Sequence, residues 1–150
     1  MNNYYLVKTK YRMSGEDKQK AYQLLVQAKD PSDAQEKILK WIQEEGRLGT
    51  RKYKDYLTGE MNEEPEEVQV QSIKLLERTG LHIEKEGYKY FYQATIEFKD
   101  SKNKPANLII KHDSIKLALE KAELELTKLS EESGAIVTKV ILTPIFDYCG

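Results

Sequence analysis

The fold is decided by the stretch LLVQAKDPSDAQEKILKW, residues 24–41. Asp30 or Ser32 can cap a helix there, and Pro31 suits its first turn, where a missing N–H costs nothing. The apolar residues that follow recur at the spacing of one helix face, and they are Ala34, Ile38, Trp41 and Ile42. The stretch therefore predicts a strand, a tight turn and a helix that ends near Gly46.

The flanking residues complete a supersecondary unit. Residues 4–13, YYLVKTKYRM, mix aromatic and β-branched residues with lysines in partial alternation, which predicts a strand with one wet face. Turn residues follow at 14–19, so that 20–30 predicts a second strand of an antiparallel hairpin. After the helix, VQVQSIKLLE at 68–77 predicts a third strand. The unit is ββαβ.

The same unit returns in the second half of the chain. FYQATIEF (91–98) aligns without gaps on YYLVKTKY (4–11), and LIIKHDSIKLA (108–118) aligns without gaps on LLVQAKDPSDA (24–34). Ala118 thus takes the place of Ala34. Because one pattern occurs twice at matching positions, the sequence predicts an internal duplication.

The second copy also predicts its own helix and closing strand. The helix extends from about Ile115 to Ser133, with Ser114 as its cap. Its predicted apolar stripe consists of Ile115, Leu119, Ala122, Leu126 and Leu129. The closing strand is AIVTKVILTPIF, residues 135–146.

These elements predict an α+β fold, a single domain over residues 1–150 built from two tandem ββαβ repeats. Repeat one covers 1–80 with an insertion at 46–67, and repeat two covers 87–150. Roughly six strands form a mostly antiparallel sheet with both helices on one face, a two-layer sandwich. Each crossover places the third strand on the far side of the first. A free sheet edge is covered either within the chain or by a homodimer.

The insertion GRLGTRKYKDYLTGEMNEEPEE, residues 46–67, is the main difference between the halves. Basic residues interleave there with tyrosines, and the candidate partner-binding residues are Arg47, Arg51, Lys52, Tyr53, Lys54 and Tyr56. Such a mixture can clamp phosphates and stack bases. The alternative is a solvated loop or short helical extension whose opposite charges meet one another.

Reactive groups are sparse, which favours a protein without catalytic residues, metal or cofactor. His82 and His112 lack the HxH or HxxxH spacing of metal ligands, and Cys149 has no second cysteine. Ser114 beside His112 is better explained as a helix cap than as a nucleophile. No glycine-rich phosphate loop of the GxxxxGK[ST] or GxGxxG type occurs, so nucleotide hydrolysis is disfavoured.

Composition limits the class of partner and the compartment. A net charge of -1 and a pI near 6.2 provide no overall attraction to nucleic acid or to an anionic membrane. A single cysteine fits a reducing compartment, and no run of about 18 apolar residues occurs. We therefore expect a cytoplasmic protein with no membrane partner, whose contact with nucleic acid would need a local patch.

Four segments together resemble an uncharacterised family, a domain of unknown function found in Bacteroidetes and their phages. They are YYLVKTKY, LLVQAKDPSDA, FYQATIEF and the closing TPIFDY. The resemblance spans nearly the whole chain and includes the duplication. The chain departs from the family in its long insertion and in His112, where a small residue is expected. The resemblance implies a phage or mobile-element setting and carries over no catalytic residues.

The sequence thus predicts a non-catalytic binding protein that acts by surface contact with a protein or nucleoprotein partner, as a host-factor inhibitor or an assembly accessory. One alternative is a single-stranded nucleic-acid-binding accessory protein that uses the basic and aromatic residues of the insertion. Another is a protein that sequesters a small molecule, such as a nucleotide, between the repeats or across a homodimer.

Overall fold

The structure, a computed structural model, describes residues 2–98, 104–129 and 134–150. Its architecture is α+β, as the sequence predicts, with ten strands and two helices in the described residues. In chain order the elements are β1 (Asn3–Tyr11), β2 (Lys20–Ala28), α1 (Pro31–Glu44), β3 (Thr50–Lys54), β4 (Met61–Pro65), β5 (Gln69–Leu76), β6 (Thr79–Ile83), β7 (Tyr90–Glu97), β8 (Ala106–His112), α2 (Ile115–Leu129), β9 (Ile136–Leu142) and β10 (Ile145–Tyr148).

The chain divides into two compact units. Unit 1 contains the residues up to Leu75 together with Asp147–Gly150, and unit 2 contains Leu76–Phe146. The strands form three sheets, where the sequence predicts one layer: a four-stranded sheet in the order β10-β2-β1-β5, the hairpin β3-β4, and a four-stranded sheet in the order β6-β8-β7-β9. The predicted crossover is confirmed, since β5 lies beside β1 and β9 beside β7. The duplication and the two-layer sandwich stay predictions.

The core of unit 1 lies between α1 and the strand pair β1–β2. Successive side chains of a strand point to opposite faces, so alternate residues of the pair face the helix. The strand residues of this core are Tyr5, Val7, Tyr11, Leu24, Val26 and Ala28. Ala34, Ile38 and Ile42 of α1 pack against them, and all three are fully buried. Trp41 packs partly buried at the margin of the same cluster.

Both helices begin where the sequence predicts. In α1 the Asp30 carboxylate accepts the Asp33 N–H at 2.7 Å, and Pro31 occupies the first turn. In α2 the Ser114 hydroxyl accepts the Leu117 N–H at 3.2 Å. Each bond satisfies a backbone donor that has no partner within its own helix. The caps therefore fix the first residue of each helix.

The end of α1 depends on the glycine that the sequence indicates. The Gly46 N–H donates to the Trp41 carbonyl at 3.0 Å. A Cβ on Gly46 would lie 2.7 Å from the Ile42 Cα, so no larger residue fits there. The left-handed conformation that commonly follows a helix is taken instead by Arg47, with φ 58°.

The sheet of unit 2 has β7 and β8 at its centre. β7 pairs antiparallel with both β8 and β9, and β6 pairs in parallel with β8. The buried cluster under α2 consists of Tyr92, Ala94, Ile110, Ala118 and Ala122. β6 and β9 are the two edge strands of this sheet in the described residues.

The predicted stripe of α2 is only partly right. Ala122 is fully buried and Leu126 half-buried, but Ile115 and Leu119 are 51% and 37% exposed. The face that packs on the sheet is centred on Ala118 and Ala122, whose small side chains let the helix lie close to it. The two larger residues are left at the margin. The side chain of Leu129 and the predicted extension to Ser133 lie outside the described residues.

The predicted closing strand over 135–146 is interrupted after Leu142. Both the N–H and the hydroxyl of Thr143 donate to the Phe91 carbonyl, at 2.9 and 2.8 Å. Pro144 follows, and a proline has no N–H for a sheet ladder. The remaining residues form β10, which pairs with β2 in the sheet of unit 1.

Replacing Ile38 with Ala should lower the free energy of unfolding by about 2–5 kcal/mol, because a fully buried side chain leaves a cavity. Urea denaturation followed by circular dichroism measures the change. The control is Leu117→Ala on α2, 43% exposed, which should change stability by about 0.5 kcal/mol at most. Equal losses in the two variants would contradict the assignment of the core.

Candidate functional site

The inserted residues form a two-stranded hairpin. One interpretation of the sequence is a solvated loop or short helical extension at 46–67, and only its conformation is wrong: β3 and β4 pair antiparallel, from Thr50 opposite Pro65 to Lys54 opposite Met61. Every residue of β3 is exposed, and β4 alternates exposed and half-buried residues. With almost no apolar burial, the hairpin depends on polar contacts for its stability.

The tip of the hairpin is held by hydrogen bonds around Asp55. Its N–H donates to the Glu60 carbonyl at 2.8 Å, and its carbonyl accepts the Gly59 N–H at 2.7 Å. Its carboxylate also accepts the Leu57 N–H at 2.9 Å. Gly59 has φ 74°, a conformation that glycine adopts without steric cost. This turn leaves Tyr56 and Leu57 96% and 95% exposed.

Opposite charges meet across the two strands, as one interpretation of the sequence predicts. The Arg51 guanidinium contacts the Glu64 carboxylate through both Nε and Nη2. This hydrogen bond, helped by the charges of Glu64, Glu67 and Glu66, raises the pKa of Arg51. Residues 46–67 contain four basic and six acidic side chains. The hairpin is therefore acidic overall rather than a basic patch.

Arg12, at the end of β1, holds the base of the hairpin. Its Nε donates to the Glu66 carboxylate at 3.1 Å, and its Nη1 and Nη2 donate to the carbonyls of Glu16 and Thr50 at 3.0 and 2.7 Å. Its own carbonyl accepts the Gly49 N–H at 2.8 Å. A Cβ on Gly49 would lie 2.7 Å from Nη2. One half-buried side chain thus joins three segments of the chain.

Five of the six predicted binding residues lie on the hairpin. They are Arg51, Lys52, Tyr53, Lys54 and Tyr56. Arg47 lies before it, where its carbonyl accepts the Ser14 N–H at 2.6 Å. Because side chains alternate along a strand, Lys52 and Lys54 share one face of β3, whereas Arg51 and Tyr53 share the other. The basic and aromatic residues that alternate in the sequence therefore do not form one continuous patch on the hairpin.

Two exposed apolar residues of the hairpin are absent from the predicted set. Leu57 lies beside Tyr56 at the tip, and Met61, 63% exposed, opens β4. The sequence does contain a pattern that indicates a hairpin tip at these residues. Asp55 and Gly59 bracket a three-residue loop that follows a run containing Thr and Tyr, a pattern typical of hairpins.

The described part of the chain contains no group of three or more His, Cys, Asp and Glu side chains that could hold a metal ion, and no helix long and apolar enough to cross a membrane. Cys149 is buried, and that burial raises the pKa of its thiol. A thiol that resists deprotonation is a poor nucleophile.

The two histidines lie in different surroundings. His112 is 8% exposed, stacks on Tyr88 with ring centroids 4.1 Å apart, and accepts the Asp113 N–H at Nδ1 over 2.9 Å. In His82, Nδ1 lies 4.0 Å from a Glu125 carboxylate oxygen. His112 is thus held in place by ring stacking and by a bond to its neighbour in the chain.

No protein-family model, curated protein or solved structure matches the chain. The resemblance to a family from Bacteroidetes and their phages therefore stays a prediction. Function has to be inferred from the geometry of the described residues, and the hairpin offers the most distinctive geometry among them.

Replacing Arg12 with Met should speed amide hydrogen exchange across residues 50–65 by about tenfold or more, because hydrogen bonds from a charged donor contribute about 1.5–3 kcal/mol each. Mass spectrometry measures the exchange rate of the hairpin amides, and the exchange rate of the β1 and β2 amides in the same sample serves as the internal reference. The control is Arg51→Met, which removes an exposed ion pair that solvent screens, so it should change the exchange rate less. An equal or larger effect of Arg51→Met would contradict the anchoring role of Arg12.

Proposed function

We propose that this chain is a non-catalytic binding protein that contacts a protein or nucleoprotein partner through the tip of the β3–β4 hairpin. The observation that carries the proposal is the near-complete exposure of Tyr56 and Leu57 on a turn closed by backbone hydrogen bonds. Large aromatic side chains are frequent among residues that dominate binding energy. A turn already held in one shape loses little conformational entropy on binding.

The surroundings of the tip favour a protein as the partner. Tyr53 and Met61, 44% and 63% exposed, add one large apolar side chain to each face of the hairpin. The acidic excess of residues 46–67 repels phosphate and attracts basic groups. The partner that fits is therefore a protein with an apolar pocket bordered by Lys or Arg side chains.

The biological setting is proposed from the resemblance alone. The resemblance supports a cytoplasmic protein of phage or mobile-element origin that inhibits a host factor or assists an assembly. A hairpin that binds without catalysis suits either role, because occupying a surface of the partner is sufficient for both.

We also propose that the two units descend from one duplicated ββαβ unit. In the gap-free alignment Tyr4 corresponds to Phe91, and Gln27 corresponds to Lys111. Tyr4 lies opposite Gln27 and Phe91 lies opposite Lys111, so the register of the two strand pairs corresponds. The helix caps also occupy aligned positions. The hairpin belongs to unit 1 alone, which is consistent with a function acquired after duplication.

The double variant Tyr56→Ser, Leu57→Ser should bind the partner at least about 30-fold more weakly, because the loss of even one anchor of this kind costs about 2 kcal/mol. The partner is captured from a Bacteroidetes lysate with the tagged chain, purified, and titrated by biolayer interferometry. The matched control is Tyr90→Ser, Leu75→Ser, which removes one exposed Tyr and one exposed Leu outside the hairpin.

The control should bind within about threefold of the unchanged chain. Two results would count against the proposal: equal weakening of binding by both double variants, or failure of the unchanged chain to retain any partner. Circular dichroism of all three proteins verifies that the substitutions leave the fold intact.

Binding of single-stranded nucleic acid is the second candidate, favoured by one face of β3. Lys52 and Lys54 share that face, and neither makes an ion pair in the part of the chain that the structure describes. Anisotropy of a labelled oligonucleotide should show affinity that falls with salt, and Lys52→Ala, Lys54→Ala should reduce the logarithmic salt slope by about one to two. The absence of binding at low salt would eliminate this candidate.

A further inference from the structure

A groove runs between helix α2 and the edge strand β9 in unit 2. It has a volume of about 490 Å³, and its apolar lining comes from Ile115 and Leu119 of the helix and from Val137 and Val140 of the strand. Its charged residues are Lys116 and Glu123 of the helix and Lys139 of the strand. The groove lies entirely within unit 2, so it is separate from the hairpin.

The groove belongs to a larger apolar surface. Leu142, at the end of β9, lies opposite Tyr92 of the buried cluster under α2 and is 57% exposed. Ile115 and Leu119, on the helical side, are 51% and 37% exposed. Large apolar residues exposed together along one strand and one helix are typical of an interface. Scattered single residues would not require this explanation.

The outer edge of β9 offers backbone hydrogen bonds to an added strand. β9 is the last strand in the order β6-β8-β7-β9, and no strand in the described residues pairs with its other side. Edge strands are usually protected by charged residues, and β9 contains one, Lys139. An extended segment that pairs with this edge would satisfy its free N–H and C=O groups.

The charges beside the groove identify the occupant. Lys116 and Glu123 lie seven residues apart on α2, about 10.5 Å along the helix. When two copies of β9 pair antiparallel about a two-fold axis, the two α2 helices also run antiparallel on the same face of the joined sheet. Lys116 of one copy then faces Glu123 of the other, and the reverse pair forms at the opposite end. Of the three charged residues of the groove, the two on the helix are thus complementary to their own copies across the two-fold axis.

We infer that the chain forms a symmetric homodimer in which β9 pairs with β9 of a second copy and the two α2–β9 grooves close over each other. Ile115 and Leu119 of each copy fill the groove of the other, and two Lys116–Glu123 pairs flank this apolar centre. The dimer presents two hairpins, so it adds bivalence to a chain whose partner surface lies elsewhere. Dimerisation does not depend on the function proposed for the hairpin.

A charge exchange on the full chain tests this dimer by sedimentation velocity over a concentration series. The unchanged chain should shift from 17.4 kDa to twice that mass as concentration rises. Lys116→Glu should raise the dissociation constant of the dimer about tenfold or more, because it faces Glu123 with a like charge. The double variant Lys116→Glu, Glu123→Lys should restore the dissociation constant to within about threefold.

A loss of dimer in the Lys116→Glu variant should not result from misfolding of α2. Lys116→Glu puts an acidic residue into the first turn of α2, which has none, and the helix dipole favours one there. The control Lys18→Glu makes the same reversal at an exposed loop residue of unit 1 and should leave the dissociation constant unchanged. Circular dichroism compares the fold of all variants.

Three results would overturn the inference. The first is a chain that stays monomeric up to about 1 mM, the range of the weakest specific contacts. The second is a dimer that Lys116→Glu leaves intact, and the third is a dimer that the double variant does not restore. If the chain stays monomeric and binds an extended peptide along β9, the inference is also overturned, because the groove would then hold a peptide and not a second copy of the chain.

Discussion

The contact between α1 and the strand pair β1–β2 is the constraint on which unit 1 depends. Ala34, Ile38 and Ile42 are fully buried against these strands, so the helix has one allowed position. That position fixes where the helix ends, since the backbone of Ile42 leaves room only for glycine at residue 46. The chain then turns through the left-handed Arg47 toward the end of β1. The place of the hairpin is thus set by helix packing.

The hairpin itself shows how exposed strands are stabilised without a core. A two-stranded ribbon is only marginally stable in water by itself. Here the exposed pair Arg51–Glu64 contributes modestly, while the half-buried Arg12 links the base of the ribbon to the end of β1 with two side-chain hydrogen bonds, to Glu66 and to Thr50. The anchored base and the closed turn at Asp55 together hold the side chains of Tyr56 and Leu57 in water.

The helix caps were predictable from the sequence, whereas the hairpin β3–β4 and the break between β9 and β10 were not. The caps Asp30 and Ser114 follow from residue type at a strand–helix junction. The predicted stripe of α2 omits Ala118, although its alignment with the buried Ala34 already indicated the face that packs on the sheet. The hairpin escaped prediction because its strands bury no face, so no apolar alternation marks them. The interpretation of 135–146 as one strand failed because β-branched residues continue to Pro144. The exposure of Ile115 was missed because apolar spacing does not show which residue lies nearest the sheet.

The pairing of β10 with β2 makes unit 1 discontinuous in the chain. The backbone N–H of Cys149 donates to the Leu25 carbonyl, and its side chain belongs to the same buried cluster as Tyr5. Unit 2 is encoded between these segments. During synthesis the ribosome therefore delivers every residue of unit 2 before Asp147–Gly150, the last segment of unit 1. Domains generally fold as units from the N-terminus, but the nascent first unit stays incomplete until translation has passed residue 149.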